Sequence, residues 1–281
     1  MKIYVGMIAY DEEWIIGYSL KSVYDYVDEI IVIDGSQWGP STDRTVEIAS
    51  SVGPKVRVIS GTWIAMNKDG QRGTDHKYRQ QMEFLENMEK GLDNWCIFMG
   101  ADEVWDEENI KRLVDYLQKA KGTMLFSYQW LNFYGDCWHT IYGGAWTEPR
   151  PVSAFRLIPG ITFLNHHRVG IHAPDCPPVN FGELGYPGRI ILEDVMFFHY
   201  TACCPFEKFK FRMKFYFDRD AHFRRAYGGY EGDEWERFLK EQVTPEWERR
   251  CNLEIRGAEL KPFKGKHPKV IQPLIDKLWY R

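Results

Sequence analysis

The stretch that decides the fold is Trp95-Cys96-Ile97-Phe98-Met99-Gly100-Ala101-Asp102-Glu103-Val104-Trp105. Its apolar run stops abruptly at two adjacent carboxylates. This pattern predicts a buried strand that delivers acidic side chains to the edge of a sheet. In α/β proteins, that edge is where ligands bind. Asp102 and Glu103 are therefore the first candidate site residues.

Two carboxylates at the end of a buried strand cost free energy unless a partner neutralises them, and a hydrated divalent cation is a suitable partner for oxygen ligands. A cation held there would in turn attract a diphosphate. The alternative is that one of the two acids caps the next helix. Asp106 is the better cap, because it directly precedes Glu107-Glu108-Asn109-Ile110 and the apolar positions that follow. Asp102 is then expected to bind Mn²⁺ or Mg²⁺.

Composition places the chain among globular proteins that bury one large core, or one core with a smaller appendage. It has 281 residues, of which 44% are hydrophobic and 27% charged. The net charge of -4 and the pI near 6.1 argue against a general nucleic-acid binder, whose binding surface is normally basic.

The sequence also predicts a cytoplasmic location. No apolar run approaches the roughly 20 residues that span a bilayer, and residues 1–5 enter a strand directly. Six cysteines are scattered along the chain, and we expect reduced thiols. Cys203-Cys204 lacks the CxxC spacing that is typical of zinc sites.

Apolar runs alternate with helical segments through the first 120 residues. Residues 3–10 and 29–35 are strand-like and end at Asp11 and Asp34, and residues 55–60 form a third run. This order predicts a parallel sheet with helical crossovers. Between residues 149 and 188 we expect loops and short antiparallel strands that cover an acceptor cleft.

Residues 205–225 alternate aromatic and basic side chains, with seven Lys or Arg against three Asp or Glu. Strict alternation suggests a strand, but Phe206, Phe209, Met213 and Tyr216 or Phe217 also fit one face of a helix. The segment is either an amphipathic helix packed on the sheet or a contact for a membrane surface or a pyrophosphate-bearing acceptor.

Four stretches together resemble the inverting nucleotide-sugar glycosyltransferases of family 2. They are Ile8-Ala9-Tyr10-Asp11-Glu12-Glu13, Ile31-Val32-Ile33-Asp34-Gly35 with Ser41-Thr42-Asp43-Arg44-Thr45, residues 95–105, and His199-Tyr200 with residues 210–216. The resemblance implies the GT-A fold, a Rossmann-like mixed sheet flanked by helices. It assigns residues 1–204 to a catalytic domain, with a nucleotide-binding half (1–120) and an acceptor half (121–204). Residues 205–281 would form a helical extension packed on that domain.

The resemblance also implies roles for individual residues. Ala9, Tyr10 and Glu12 would frame the nucleobase, Asp34 would hold the base or ribose, and Asp43 would order the nucleotide pocket. Arg79, near the start of a predicted helix over residues 77–90, would face the diphosphate. Ala101 and Asp102 match the DxD motif of the family, with Glu103 or His199 assisting Asp102 in metal binding. One departure is Gly100, which stands where the family usually carries the first acid.

Two assignments stay open at this stage. His199 follows the apolar run Val195-Met196-Phe197-Phe198, so it is either a core histidine or a ligand of metal or phosphate. Inverting transfer requires a general base to deprotonate the acceptor hydroxyl, while the metal and Arg79 stabilise the departing diphosphate. Asp194 is the first choice for this base and Asp175 the second.

The sequence thus predicts an enzyme that transfers a hexose from a nucleotide-diphosphate sugar to a hydroxyl acceptor, such as a glycan or a lipid-linked glycan. One alternative is a catalytically inactive nucleotide-sugar or glycan-binding module, with Gly100 as the sign of decay. Another is a nucleotidyltransferase. Such enzymes usually begin with a glycine-rich phosphate loop and a basic signature, which Tyr10-Asp11-Glu12-Glu13 lacks.

Overall fold

A computed structural model describes residues 1–66, 72–73, 76–143, 154–165, 168–171, 179–180, 188–219, 224–225, 227–245 and 259–279. The chain divides into two compact units. The first comprises Met1–Trp130, Glu148–Phe198 and His267–Gln272, and the second comprises Leu131–Thr147, His199–Lys266 and Pro273–Arg281. The domain boundary expected after residue 204 stays a prediction.

The strands of the described residues, in chain order, are β1 (Ile3–Ala9), β2 (Glu29–Ser36), β3 (Val56–Thr62), β4 (Ala65–Met66), β5 (Arg72–Gly73), β6 (Trp95–Gly100), β7 (Glu103–Val104), β8 (Leu125–Tyr134), β9 (Asp136–Tyr142), β10 (Ala154–Arg156), β11 (Ile161–Asn165), β12 (Arg168–Ile171), β13 (Val179–Asn180), β14 (Arg189–Ala202) and β15 (Glu259–Pro262). The helices are α1 (Ile16–Val23), α2 (Thr45–Ser51), α3 (His76–Glu86), α4 (Glu107–Lys119), α5 (Phe206–Arg219), α6 (Trp235–Phe238) and α7 (Gln272–Trp279). Single 3₁₀ turns lie at Tyr24–Tyr26 and Lys269–Ile271, and a π-helical turn lies at Leu239–Val243.

The first unit is built on four parallel strands in the order β6-β1-β2-β3. Almost every residue of β1, β2 and β6 is buried. Continuous burial is typical of parallel strands that are covered on both faces, and it explains why these segments read as unbroken apolar runs. The three predicted strands and the buried strand at Trp95 are confirmed.

Antiparallel strands extend this parallel group. Strand β10 pairs with β6 on one side and with β8 on the other, both antiparallel. A separate three-stranded sheet has the order β11-β12-β13, and β4 pairs with β5. The sheet is therefore mixed, and helices flank it. The predicted α/β class is confirmed, as are short antiparallel strands after residue 149.

Helix α4 of the first unit begins at the residue that its capping pattern predicts. The Asp106 side chain accepts a hydrogen bond from the backbone N–H of Asn109 at 2.9 Å, so Asp106 is the N-cap of α4 as predicted. Helix α3 ends at Glu86 rather than at Lys90. It is fastened to β2 by Gln80, whose Nε2 donates to the carbonyls of Ile33 and Gly35.

In the second unit, the end of β8 pairs with β9, and β9 pairs with β15. Residues 206–219 form a helix, so the strand alternative is wrong. Phe209, Met213 and Phe217 are buried at a spacing of four residues, which is the inward face of an amphipathic helix. Membrane contact through residues 206–225 stays a prediction. Within the described residues, no helix combines the length and the apolar character needed to cross a bilayer.

Four cysteines lie in the described part of the chain: Cys96, Cys137, Cys203 and Cys204. All four are buried free thiols, as expected. Cys176 and Cys251 lie outside the described residues.

Candidate active site

The carboxyl ends of the parallel strands lie side by side. In the strand register, Ala9 of β1 is level with Asp34 of β2, and Ile8 is level with Gly100 of β6. Asp34 is also level with Ser60 of β3. The loops that follow these strands therefore share one edge of the sheet, which is where α/β proteins bind ligands.

Asp102 and Glu103 follow β6 directly, as the sequence predicts. Helix α1 holds this turn: Ser19 Oγ donates to the Glu103 carbonyl at 2.5 Å, and Ser22 Oγ accepts from the Trp105 N–H at 3.1 Å. Glu103 is only 3% exposed. The turn is thus fixed to the core, which restricts where its two carboxylates can point.

Gly100 leaves room for both carboxylates. A Cβ built on Gly100 would lie 2.9 Å from Asp102 Oδ1 and 3.1 Å from Glu103 Oε1. Both side chains therefore turn back over the position where the DxD motif would carry its first acid. Glu103 supplies a carboxylate in the space that an aspartate at position 100 would need.

The two carboxylates offer oxygen ligands at one point of the first unit. Oxygen ligands suit Mg²⁺ and Mn²⁺, and Mn²⁺ also tolerates an imidazole nitrogen. The carboxylate pair therefore fits a divalent cation. His199, the third predicted ligand, belongs to the second unit, and its part in a metal site stays a proposal.

Asn132 fixes the orientation of the His199 ring. Asn132 Oδ1 lies 2.6 Å from His199 Nδ1, and Asn132 is buried. A carbonyl oxygen accepts, so Nδ1–H is the donor of this hydrogen bond. Such an outer partner is usual for a histidine that binds a metal.

Asp34 is completely buried at the end of β2. Its carboxylate accepts hydrogen bonds from the Ser41 N–H at 3.1 Å, from Ser60 Oγ at 2.6 Å and from Ser41 Oγ. The charge is therefore balanced by hydrogen bonds from within the chain. These contacts tie the loop after β2 to β3, and the predicted contact of Asp34 with a base or ribose stays a proposal.

The segments after β1 and β2 are joined by reciprocal hydrogen bonds. Asp11, in the left-handed region at φ 51°, accepts from the Thr42 N–H at 2.6 Å. Asp43 accepts from the N–H groups of Glu13 and Thr45 at 3.0 and 2.9 Å. Asp43 thus orders this part of the edge from within the chain.

The remaining residues assigned to the nucleobase differ in exposure. Ala9 and Ala101 pack into the core, so only their backbone could meet a ligand. Glu12 is buried and accepts from Trp14 Nε1 at 2.9 Å. Tyr10 is half-buried, and desolvation raises the pKa of its phenol despite a hydrogen bond with Ser36, so it is neutral at pH 7.

Arg79 lies on α3 with its guanidinium turned toward its own helix. It forms ion pairs with Glu83 at 3.3 Å and Glu86 at 3.5 Å. A contact with a diphosphate would require this partly exposed side chain to exchange those partners.

Asp194 is paired on the surface of the first unit. Its carboxylate accepts from the Tyr116 hydroxyl at 3.1 Å and lies 3.7 Å from Arg112 Nε. The hydrogen bond to Asp194 raises the pKa of the Tyr116 phenol. Asp194 lies five positions before His199 on β14, which corresponds to about 17 Å of extended strand. Asp175 lies outside the described residues.

Two residues with notable contacts carry no functional prediction from the sequence. Asn132 is one, because its contact with His199 joins residues 67 positions apart. Trp38 is the other, an exposed indole beside Tyr10. Its position in the loop between Asp34 and Ser41 could have indicated a role at this edge of the sheet.

No protein-family model matches the chain, and no curated protein matches its sequence. Solved structures of glucosyl-3-phosphoglycerate synthase from Mycobacterium tuberculosis share partial similarity. The complex with Mn²⁺, UDP and glucosyl-3-phosphoglycerate is 20% identical with a TM-score of 0.34, and the match covers 46% of this chain and 44% of that chain. The complex with Mn²⁺ and UDP-glucose is 21% identical, with the same TM-score and coverage of 46% and 43%. The match thus spans less than half the length of either structure.

Proposed function

We propose that this protein is a glycosyltransferase that moves a sugar from a nucleotide-diphosphate sugar to a hydroxyl acceptor with the help of a divalent cation. The observation that carries this proposal is the pair of carboxylates, Asp102 and Glu103, that turn over Gly100 at the carboxyl edge of the parallel sheet. The resemblance of the four sequence stretches to family 2 adds the reaction class.

Asp102 and Glu103 would hold Mn²⁺ or Mg²⁺ through their carboxylates, and on the resemblance His199 would add its imidazole. When bound, the cation would neutralise the charge that develops on the departing nucleoside diphosphate. Asn132 would keep the His199 ring in the tautomer that presents Nε2. Glu103 would replace the acid that Gly100 does not supply, which supports an active enzyme over a decayed binding module.

The loops after β1 and β2 would receive the nucleoside. Asp34, Ser41 and Ser60 fix the start of this surface, and Tyr10 contributes a neutral hydroxyl and a ring face. A rigid surface of this kind binds without a large ordering cost. Arg79 would reach the diphosphate by leaving Glu83 and Glu86, which an anion of higher charge favours.

Inverting transfer also needs a base near the acceptor hydroxyl. We assign it to Asp194 or Asp175, and the acceptor to a glycan or lipid-linked glycan, on the resemblance alone. Asp194→Asn tests this assignment: a base would lower kcat by about 100-fold or more, whereas loss of a surface ion pair would leave it nearly unchanged.

The proposal is tested with a panel of nucleotide sugars scored for Mn²⁺-dependent release of nucleoside diphosphate. One donor should be hydrolysed by the wild type and not by Asp102→Asn. Asp106→Asn is the matched control, since it removes a nearby charge and asparagine caps a helix as well as aspartate does. Equal loss in both variants, or equal activity in all three proteins, contradicts the proposal. Donor binding without turnover, even with acceptors supplied, favours the binding module.

A further inference from the structure

The loop after β2 holds an indole in a fixed position. Ser36 N–H donates to the Gly39 carbonyl at 2.8 Å, and the Trp38 N–H donates to Ser36 Oγ at 3.2 Å. Gly35 adopts φ 117°, and a Cβ there would lie 2.1 Å from the Gly61 carbonyl oxygen. The turn is therefore pressed against the end of β3, and Trp38 stands at its tip.

Trp38 is 52% exposed, although tryptophan is usually among the most buried residues. Its ring centroid lies 6.5 Å from that of Tyr10, with the planes inclined at 43°. A third ring would need parallel walls about 7 Å apart, so none fits between the two. A ligand would instead stack on the outer face of Trp38, with Tyr10 supporting the indole from the other side.

The strand order sets the distance between the two strand ends that carry this indole and the carboxylates. Strands β6 and β2 are separated by β1, so their ends lie about 10 Å apart. Asp102 follows β6, and Trp38 follows β2. This separation matches the span between the base and the phosphates of an extended nucleotide.

We propose that Trp38 is the stacking platform for the nucleobase of a nucleoside diphosphate whose phosphates point toward Asp102. This inference rests on the proposed function and names a residue that determines nucleoside affinity at the same site. Stacking uses the π face that every base shares, so Trp38 sets affinity for the nucleoside without selecting strongly among bases. A ligand without a base gains nothing from it.

The test compares ligands with and without a base by calorimetry in the presence of Mn²⁺. The probes are UDP, GDP, CDP, ADP and inorganic pyrophosphate, and the variants are Trp38→Ala and Trp38→Phe. Leu92→Ala is the control, because Leu92 is a 72% exposed apolar residue at the opposite, amino-terminal end of β6. Thermal unfolding checks that each variant is folded.

Trp38→Ala should weaken the best-bound nucleoside diphosphate by about 5- to 50-fold and leave pyrophosphate within about twofold. Trp38→Phe should restore most of the loss, and Leu92→Ala should change nothing. Unchanged diphosphate binding in Trp38→Ala, or equal losses for diphosphate and pyrophosphate, overturns the stacking role and leaves the proposed function standing. A wild type that binds none of the nucleoside diphosphates overturns both.

Discussion

Buried charged side chains have different surroundings at the two ends of the parallel sheet in the first unit. At the amino-terminal end, Arg156 of β10 is 9% exposed and donates to the carbonyls of Thr123, Leu92 and Ala120. Its guanidinium also lies 4.5 Å from the centre of the Trp95 ring. Burial lowers its pKa, but these acceptors keep the cation hydrogen-bonded. The charge serves to join loops.

At the carboxyl-terminal end, groups that would repel one another are gathered instead. Asp102 and Glu103 turn toward the same space above Gly100. Asp34 shows that this end can also balance a charge with hydroxyls when the role is structural. The arrangement of partners around a charge, rather than its burial, therefore separates a structural residue from a ligand.

The largest effect is expected at the amino-terminal end. Arg156→Leu should lower the free energy of unfolding by about 3 to 5 kcal/mol, because it leaves three loop carbonyls without their donor. Arg156→Lys should restore little, since one ammonium does not reproduce the planar fork. Urea unfolding measures both. Arg57→Leu, which removes an exposed pair with Glu29 and two exposed hydrogen bonds to Asn87, should cost under about 1 kcal/mol. A loss of comparable size in Arg57→Leu would show that buried Arg156 stabilises the fold no more than an exposed arginine does.

At the carboxyl-terminal end, removal of a charge should not lower the free energy of unfolding. Without metal, Asp102→Asn should be at least as stable as the wild type, because it removes one of two neighbouring negative charges. In the same variant, the affinity for Mn²⁺ should fall by about 100-fold, or about 2.7 kcal/mol. Calorimetry with Mn²⁺ alone tests the expected affinity, and thermal unfolding in chelator tests the expected stability. A metal-free variant that is clearly less stable than the wild type assigns Asp102 to structure.

The next effect concerns the outer partner of His199. Asn132→Leu should weaken Mn²⁺ binding by about 10-fold, because the ring loses the acceptor that fixes its tautomer. Asn132→Asp keeps an acceptor oxygen for Nδ1 and should recover wild-type affinity or better. If both variants bind Mn²⁺ equally poorly, the side chain acts through packing and not through the hydrogen bond.

The smallest effect is expected from one methyl group. Gly100→Ala places a Cβ about 3 Å from the two carboxylates, whose flexible ends can shift at little cost to folding. Mn²⁺ affinity should fall about threefold to tenfold, while the free energy of unfolding changes by less than about 1 kcal/mol. Gly232→Ala, where the added methyl meets nothing within 4 Å, is the control. Unchanged affinity in Gly100→Ala would show that the carboxylates bind no metal in this arrangement.

Local patterns in the sequence were sufficient for the strands, for the Asp106 cap and for the position of Asp102 and Glu103. Each depends on residues that are close in the chain, such as an apolar run and the acid that ends it. The helical nature of residues 206–219 was open only because aromatic residues there fit both periods. Burial of Phe209, Met213 and Phe217 decided it.

Long-range contacts could not be predicted in this way. The His199–Asn132 hydrogen bond depends on which strands neighbour each other, and the ion pairs of Arg79 depend on a choice of side-chain rotamer. Asp194 resembles a family base by position, yet its pairing with Arg112 and Tyr116 follows from how β14 passes α4. The contacts of His199 and Asp194 are tertiary, and short motifs do not encode them; the ion pairs of Arg79 are local to α3, and only their rotamer was open.

The buried thiols report when the structure around each of them opens. Desolvation raises the pKa of Cys96 in the first unit and of Cys203 in the second, so neither carries appreciable thiolate at neutral pH while it stays buried. Alkylation of each thiol must therefore wait for the surrounding structure to open. Mass spectrometry of labelled peptides would measure the opening of each unit separately. A nucleotide or metal that binds one unit would slow alkylation of the thiol in that unit.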